Sequence, residues 1–400
     1  MVALGIIGFV VALLVSVTLH EAGHFATARA FGMKASRFFV GFGPTVWSFR
    51  RGETEYGVKA IPAGGFVKIE GMTPLEEVAP GDESRAFWKF PARQRAVVLS
   101  AGSFMHFVLA FVLVYVVVLA VGVAEKNPPV VGAVSKCVPA DVNGTCADTT
   151  AVSAPAAGVL KPGDRIVTIN GERVTTWTSA VGLVRASPGR QLTMTVRRAG
   201  HDVTVALRPV RVTRPSAADP QVTTSVGAIG ITEGDAFRHI GPISAFNQSG
   251  HDFASMVTGT WTVLAHKLSS LGRVYSKDRD PTGFVGAIGI SRVTGDVLAA
   301  QSVPPIVRFG DFLFIVAGVN LFVGIFNLFP LLPLDGGHLA IIGFEEARHR
   351  TRRRLGYRGP LRRVDLNKLM PVTYAFVVLL AGLTVYIAGA DIVNPIRLTQ

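Results

Sequence analysis

Four long stretches of this 400-residue chain contain no Asp, Glu, Lys or Arg apart from Glu21 in the first, and they constrain its fold more than any other feature. Each exceeds the roughly 20 residues that an α-helix needs to cross the hydrocarbon core of a bilayer. The first stretch lacks the basic N-terminal region and small-residue cleavage site of a signal peptide, so we expect it to be retained. The sequence predicts a polytopic α-helical membrane protein with four transmembrane helices at residues 1–28, 96–124, 312–334 and 369–390.

The net charge of +13 is concentrated in the two loops 29–95 and 335–368. Basic residues in short loops next to span ends mark the cytoplasmic side of a membrane. Both loops fall on one side of a four-span chain, so we predict that both are cytoplasmic and that both termini and the segment 125–311 are extracytoplasmic. The basic run in 348–363 would face the anionic headgroups of the lipid bilayer. Nucleic-acid binding is not expected, because the charge follows span ends instead of forming a patch with interleaved aromatic residues.

The segments between the spans carry strand and turn patterns. In loop 29–95, the extended runs Thr45–Phe49, Glu55–Ile61 and Phe66–Ile69 alternate with Gly and Pro, which predicts a β-hairpin associated with the membrane. The sequence pattern of residues 125–210 predicts a compact β-rich domain. Residues 211–311 predict a linker and, within Phe237–Lys267, an interfacial helix.

The chain has only two cysteines, Cys137 and Cys146, and both lie in the predicted outer segment. An oxidising compartment permits a disulfide between them, and Asn143-Gly144 is a turn signal between the two. Two free thiols are the alternative. Since the rest of the chain avoids cysteine, the bridge is favoured.

The first apolar stretch ends in His20-Glu21-Ala22-Gly23-His24. Histidines four residues apart on a helix present both imidazoles to one metal ion, and the adjacent glutamate can take a proton from a metal-bound water. Ionisable groups at membrane depth are costly and by default mark a functional site. The alternative is two histidines that serve only in packing or hydrogen bonding.

The third stretch supports the metal hypothesis because it ends in two prolines and then Asp335. Prolines free backbone carbonyls, which at membrane depth only an internal cavity can satisfy. Catalytic zinc takes three protein ligands and leaves one position open. His20, His24 and Asp335 would supply these ligands, all near the predicted cytoplasmic ends of their spans. His338 is a rival third ligand, and His106 is expected to hydrogen-bond between helices.

The pair His20-Glu21-x-x-His24 and Asn327-x-x-Pro330-x-x-x-x-Asp335-Gly336 resembles the site-2 protease family of intramembrane zinc metalloproteases. The order of spans and loops is similar, over nearly the whole chain, to the bacterial branch that performs regulated intramembrane proteolysis. The run Pro162–Gly171 resembles the bacterial PDZ core, which implies one extracytoplasmic PDZ domain (α+β) at 125–210. Some relatives carry two PDZ domains, and this chain has room for one.

The resemblance implies roles for individual residues. His20, His24 and Asp335 would bind Zn²⁺, with His338 outside the ligand set. Glu21 would be the catalytic base and would then protonate the leaving amine. Asn327 would donate to the substrate backbone, although a hydrogen bond between helices explains it equally well.

A helical substrate hides its carbonyls, so we expect an extended segment that adds to a strand edge. The candidate platform is the hairpin Glu55–Ile69, with an ordinary cytoplasmic cap as the alternative. Its predicted substrate-binding residues are Val58, Gly64, Gly65 and Phe66.

The expected function is hydrolysis of peptide bonds within or near the transmembrane segment of single-span membrane proteins, in the cytoplasmic membrane. By resemblance the substrates are anti-sigma factors or remnant signal peptides. The PDZ domain would bind a peptide or exclude bulky outer domains. An inactive PDZ scaffold is the alternative, which the intact residues of the metal motif oppose. A transporter would need broken helices in repeated halves, which the sequence lacks.

Overall fold

The computed structural model describes residues 2–72, 78–140, 144–147, 151–215, 223–277, 279–280, 283–300, 303–361 and 363–396. The helices, apart from short 3-10 turns, are α1 Val2–Ala30, α2 Ala92–Ala120, α3 Trp177–Arg185, α4 Pro242–His266, α5 Ala287–Ala299, α6 Pro305–Asn327, α7 Asp335–Arg354 and α8 Met370–Val393. The strands are β1 Ala35–Arg51, β2 Thr54–Ile69, β3 Val123–Ala124, β4 Val131–Val134, β5 Cys137–Val138, β6 Val152–Ser153, β7 Arg165–Ile169, β8 Glu172–Arg173, β9 Leu192–Arg198, β10 His201–Leu207, β11 Val210–Pro215, β12 Thr223–Ala228, β13 Ile231–Glu233 and β14 Phe237–Arg238. The chain forms two compact units, Met1–Val121 with Gly241–Gln400 and Gly122–Ile240.

The described residues contain four helices that are long and apolar enough to cross a membrane. They span Ala3–Ala30, Ala92–Ala120, Pro305–Asn327 and Leu366–Val393. The prediction of a polytopic helical membrane protein with a β-rich insert is therefore confirmed.

The third of these helices differs from its predicted bounds of 312–334. It begins at Pro305 and accommodates Arg308, whose guanidinium donates to the carbonyl of Leu298 at 2.9 Å. It ends at Asn327, because a helix rarely continues through the residue before a proline and Pro330 follows closely. Absence of charge therefore located the span but not its ends.

Two helices of the first unit occupy much of the predicted linker 211–311. One of them, α4, packs against α2, where the ring of Phe111 lies 5.3 Å from that of Phe246. The other, α5, packs against α1 at Gly5, where an added Cβ would lie 2.6 Å from the Cα of Gly295. This part of the chain is thus a packed helical element, which glycine makes possible by allowing two backbones to approach closely.

The predicted hairpin is a curled sheet made of two long, bent strands. Residues Arg37–Val40 of β1 pair on one side with Gly65–Lys68 and on the other with Glu55–Val58, while the end of β1 pairs with the start of β2. Gly41 permits the bend in β1 with a φ of +90°, and an added Cβ there would lie 2.8 Å from the Ile61 carbonyl oxygen. One edge of the sheet is the segment Gly65–Ile69, and no strand among the described residues pairs with its outer side.

The second unit holds a four-stranded sheet in the order β10-β9-β7-β8, covered by α3. The side chain of Thr176 caps α3 by accepting from the Ser179 amide. The unit extends beyond the predicted end at residue 210, because β11 pairs with β12 and β13 returns to pair with β4. Residues 216–222 of the predicted linker lie outside the described residues.

An ion pair to a buried carboxylate fixes the turn that precedes β7. The carboxylate of Asp164 accepts from Arg198 at 2.6 and 2.7 Å and from the Lys161 amide at 2.8 Å. Burial raises the pKa of the Asp164 carboxyl, but these hydrogen bonds outweigh burial, so that the pKa lies below its usual value. The turn is therefore held by a charged group that stays ionised at neutral pH.

The two cysteines are joined in the structure. Cys137 lies in β5, and the Cα atoms of Cys137 and Cys146 are 5.8 Å apart, within the usual range for a disulfide. Asn143, half of the predicted turn signal, lies outside the described residues.

Because both sulfur atoms are in the bridge, we expect neither cysteine of the native protein to react with an alkylating reagent until a reductant is added. Replacing both with serine should cost at most about 3 kcal/mol of unfolding free energy, since the closed loop is short. Mass spectrometry of the alkylated protein checks the first point and thermal unfolding of the full chain the second. Alkylation of both residues without reductant would refute the bridge.

Candidate metal centre

Three side chains from two helices meet inside the first unit. His20 and His24 are buried on one face of α1, and their Nε2 atoms are 3.1 Å apart. Asp335 begins α7, and its Oδ2 lies 3.4 Å from both Nε2 atoms. This is the group of potential metal ligands found among the described residues, with the ligand atoms within 4.8 Å of one another.

Helix α2 positions the two imidazoles. The Nδ1 atom of His24 is 2.7 Å from the carbonyl oxygen of Val98, which accepts its proton and so turns Nε2 towards the centre. At Gly102, an added Cβ would lie 2.5 Å from Cε1 of His20 and closer still to Nε2 of His24. Glycine at this position therefore makes the space that the two rings occupy.

The chain between α6 and α7 positions the carboxylate of Asp335. Gly336 and Gly337 pack directly on the preceding backbone, and an added Cβ on Gly337 would lie 2.6 Å from the carbonyl carbon of Leu331. The start of α7 is thereby pressed against the end of α6. The N-terminus of a helix also favours a negative charge, which suits Asp335 as its first residue.

The geometry fits a zinc ion. For Zn–ligand bonds of about 2.0–2.1 Å, two ligand atoms of a tetrahedral site are about 3.3 Å apart. The three donor–donor distances here are 3.1, 3.4 and 3.4 Å. The Oδ2 atom of Asp335 is buried and accepts no well-formed hydrogen bond from the described residues, as expected of an oxygen reserved for a metal. Two imidazoles and one carboxylate leave a fourth position open, as in catalytic zinc sites.

Glu21 connects this centre to the curled sheet. Its Oε2 atom accepts a hydrogen bond from the backbone amide of Val67 at 2.9 Å. An added Cβ on Gly65 would lie 3.5 Å from the Cγ of Glu21. The outer side of the Gly65–Ile69 edge therefore faces the glutamate of the metal motif.

The other predicted site residues occupy different places in the fold. Gly65 and Phe66 belong to the edge beside Glu21, and the ring of Phe66 stacks on Phe39 at 5.6 Å. Gly64 packs against the ring of Phe42. Val58 is part of the sheet but is paired on both sides, with Val40 and Trp47. Asn327 is the half-buried last residue of α6.

A buried pair behind the metal ligands connects α2 to α6. Nδ1 of His106 is 2.8 Å from Oδ1 of Asn320, which is the interhelical hydrogen bond expected of His106. The ring of His106 lies 5.0 Å from that of His20. Sequence reasoning overlooked Asn320, although a polar side chain within an apolar span is a signal that could have found it. It also overlooked Val98, which contributes a backbone carbonyl, and Gly102, whose missing side chain leaves room for the two rings. Neither residue type gives a signal in the sequence.

We expect Asp335→Ala to lose most of the bound zinc, because it removes one of three converging ligand atoms, and His338→Ala to retain it, because His338 is outside that group. Loss of a ligand should lower zinc affinity more than the about 10–100-fold typical of residues that only orient a ligand. Metal analysis of the two purified proteins makes the comparison. Full zinc content in Asp335→Ala with loss in His338→Ala would reverse the assignment.

Comparison with known proteins agrees with this geometry. The model of Peptidase family M50 matches residues 8–358. The chain is 37% identical over 415 aligned residues to zinc metalloprotease Rip1 of Mycobacterium tuberculosis (strain ATCC 25618 / H37Rv), with 99% of each chain covered. It is 34% identical to Rip1 of Mycolicibacterium smegmatis, with both chains fully covered, and 28% identical to a putative zinc metalloprotease of Nostoc, with 86% and 87% covered. The chain therefore belongs to peptidase family M50, the site-2 protease family, and is a multi-pass membrane zinc metalloprotease.

Proposed function

We propose that this metalloprotease cleaves peptide bonds within or next to the transmembrane segments of single-span membrane proteins. The observation that carries the proposal is the hydrogen bond from the Val67 amide to Glu21, because it brings an open strand edge to the proposed catalytic base. The helix that carries Glu21 is itself long and apolar enough to span a membrane. A substrate segment at this edge would thus lie at membrane depth.

The proposed topology follows from charge. The basic loops that contain the sheet and the C-terminal part of α7 would be cytoplasmic, since short basic loops stay on that side. The termini and the second unit would then be extracytoplasmic, which suits a disulfide between Cys137 and Cys146. The metal centre would lie towards the cytoplasmic side of the membrane.

His20, His24 and Asp335 would hold the zinc ion, which when bound polarises a carbonyl and lowers the pKa of water. Glu21 would accept the proton of the attacking water and pass it to the leaving amine. The Val67 amide holds Oε2 of Glu21, so Oε1 is the oxygen that would accept the proton. The same amide also prevents the carboxylate from turning away from the centre.

The segment Gly65–Ile69 is the proposed substrate platform. A substrate has to be extended for its carbonyl to reach a nucleophile, and an unpaired strand edge stabilises an extended peptide through main-chain hydrogen bonds. Gly65 adds no side chain between that edge and Glu21. Val58 is not part of this platform, because its backbone is already paired on both sides.

We propose that the second unit is a PDZ domain that binds or screens substrates. It contains a cavity of about 310 Å³ between α3 and the segment Val226–Ile231. The residues that line the cavity are mostly apolar, and they also include Arg185 and Arg214. Membrane-bound anti-sigma factors are the substrates that resemblance to the regulated-proteolysis branch implies.

Glu21→Gln should keep its zinc and lose cleavage by a factor of about 10²–10⁴, because the amide cannot accept a proton. The measurement is cleavage of a single-span substrate by the purified protein, with metal analysis of the same sample. Glu172→Gln, an exposed change in the second unit, is the matched control and should cleave normally. Normal cleavage of the substrate by Glu21→Gln would contradict the proposed mechanism.

Val67→Pro should reduce cleavage about tenfold or more without releasing zinc, because proline removes the amide that holds Glu21 and disrupts pairing at the edge. Val67→Ala keeps the amide and should remain active. Val46→Pro, on the exposed opposite part of the sheet, controls for general damage. If Val67→Pro cleaves as well as Val46→Pro, the sheet is a cap and not a platform.

A further inference from the structure

An arginine is buried near the start of α2. Arg95 is 7% exposed, and its Nε atom has no hydrogen-bond partner among the residues that the structure describes. Among the described residues, none forms an ion pair with it. Leaving a buried cation unpaired is costly, so this guanidinium points to a ligand that would compensate it.

Arg95 lines a cavity of about 50 Å³ between the start of α2 and α7. Leu99 and Ile342 form its apolar side, and the polar or aromatic part includes Trp88, His338, Glu345 and Arg363. One water needs only about 10–15 Å³ of such space, so the cavity admits a larger polar group.

The charges around the cavity favour an anion. Arg363 and Glu345 line the cavity together with Arg95. Glu345 is buried, and its Oε1 already accepts from the Val364 amide at 2.7 Å. Glu346 accepts from Arg350 at 3.0 Å. Two guanidinium groups therefore line the cavity against one carboxylate, which leaves the charge of the lining positive.

Arg363 lies where a ligand would enter. Its side chain is exposed, lies 5.3 Å from the centre of the Trp88 ring and donates to the Trp88 carbonyl. Arg95 is thus at the floor of the cavity and Arg363 at its mouth. Guanidinium groups bind the oxygens of a phosphate with paired, charge-assisted hydrogen bonds.

We propose that this cavity binds a phosphate group, supplied by the headgroup of an anionic phospholipid or by free phosphate. The site lies at the end of a membrane-spanning helix that begins in a basic loop, where anionic headgroups concentrate. It is separate from the metal ligands, and the binding itself does not depend on the proposed substrates or topology.

A phosphate group bound in this cavity would also stabilise the metal centre. Leu99 directly follows Val98, whose carbonyl orients His24. His338 lies about one helical turn after Asp335 on α7. A phosphate between α2 and α7 would hold together the two helices on which these contacts depend.

The test is a titration of the full-length protein, purified in detergent, with phosphatidylglycerol, phosphatidylcholine and inorganic phosphate, followed by native mass spectrometry. We expect Arg95→Gln and Arg363→Gln to weaken phosphatidylglycerol binding about tenfold or more, since hydrogen bonds to charged groups contribute that much. Arg353→Gln, an exposed arginine on α7, is the control and should bind as the parent does. Thermal unfolding of each variant reports that it is folded.

The ligands distinguish the two sources of phosphate. Selective binding of phosphatidylglycerol, with no competition from inorganic phosphate, supports a lipid site. Competition by inorganic phosphate supports a site for the free ion. Binding that is equal in the parent, Arg95→Gln, Arg363→Gln and Arg353→Gln overturns the proposal. Because Arg363 is exposed, its variant keeps the test valid if Arg95→Gln fails to fold.

Discussion

The structure depends on the close contact between the histidine-bearing face of α1 and α2. Three ionisable groups can be buried at membrane depth only if each finds a partner, because an unsatisfied polar group there is costly. Gly102 provides the room for both imidazoles, and the Val98 carbonyl satisfies Nδ1 of His24. The Nε2 atoms of both histidines then lie close to Asp335, and a zinc ion would bind these three ligand atoms.

The curled sheet is tied to this contact through a single hydrogen bond. The Val67 amide is the group through which the edge Gly65–Ile69 meets Glu21. An edge amide in a sheet is normally free to pair with another strand, which is a hazard in most proteins. Here it donates to a glutamate, and no strand among the described residues pairs with the neighbouring edge positions. A single strand thereby holds the proposed base and would also offer the proposed platform for the substrate peptide.

The structure differs from some of the sequence predictions, and each difference has a physical cause. Val58 has the extended pattern of a platform residue, but bends at glycine fold each strand back and enclose it between two neighbours. The predicted linker 211–311 contains α4, α5 and strands of the second unit, because partners distant in the chain supply their apolar contacts. The helix of the third span ends at Asn327, before the apolar run itself ends, because the prolines that follow do not continue a helix.

The sequence by itself determined the four spans and the two metal motifs. Apolar length and missing charge are local properties that a bilayer selects directly, and the spacing of His20 and His24 is fixed by the helical repeat. Only the tertiary structure decided that Asp335, more than three hundred residues later, meets these histidines while His338 does not. It also decided that Val98, Gly102 and Val67 serve the site, because they act through a carbonyl, a missing side chain and an amide. Every residue has such backbone groups, so only packing reveals which of them a site uses.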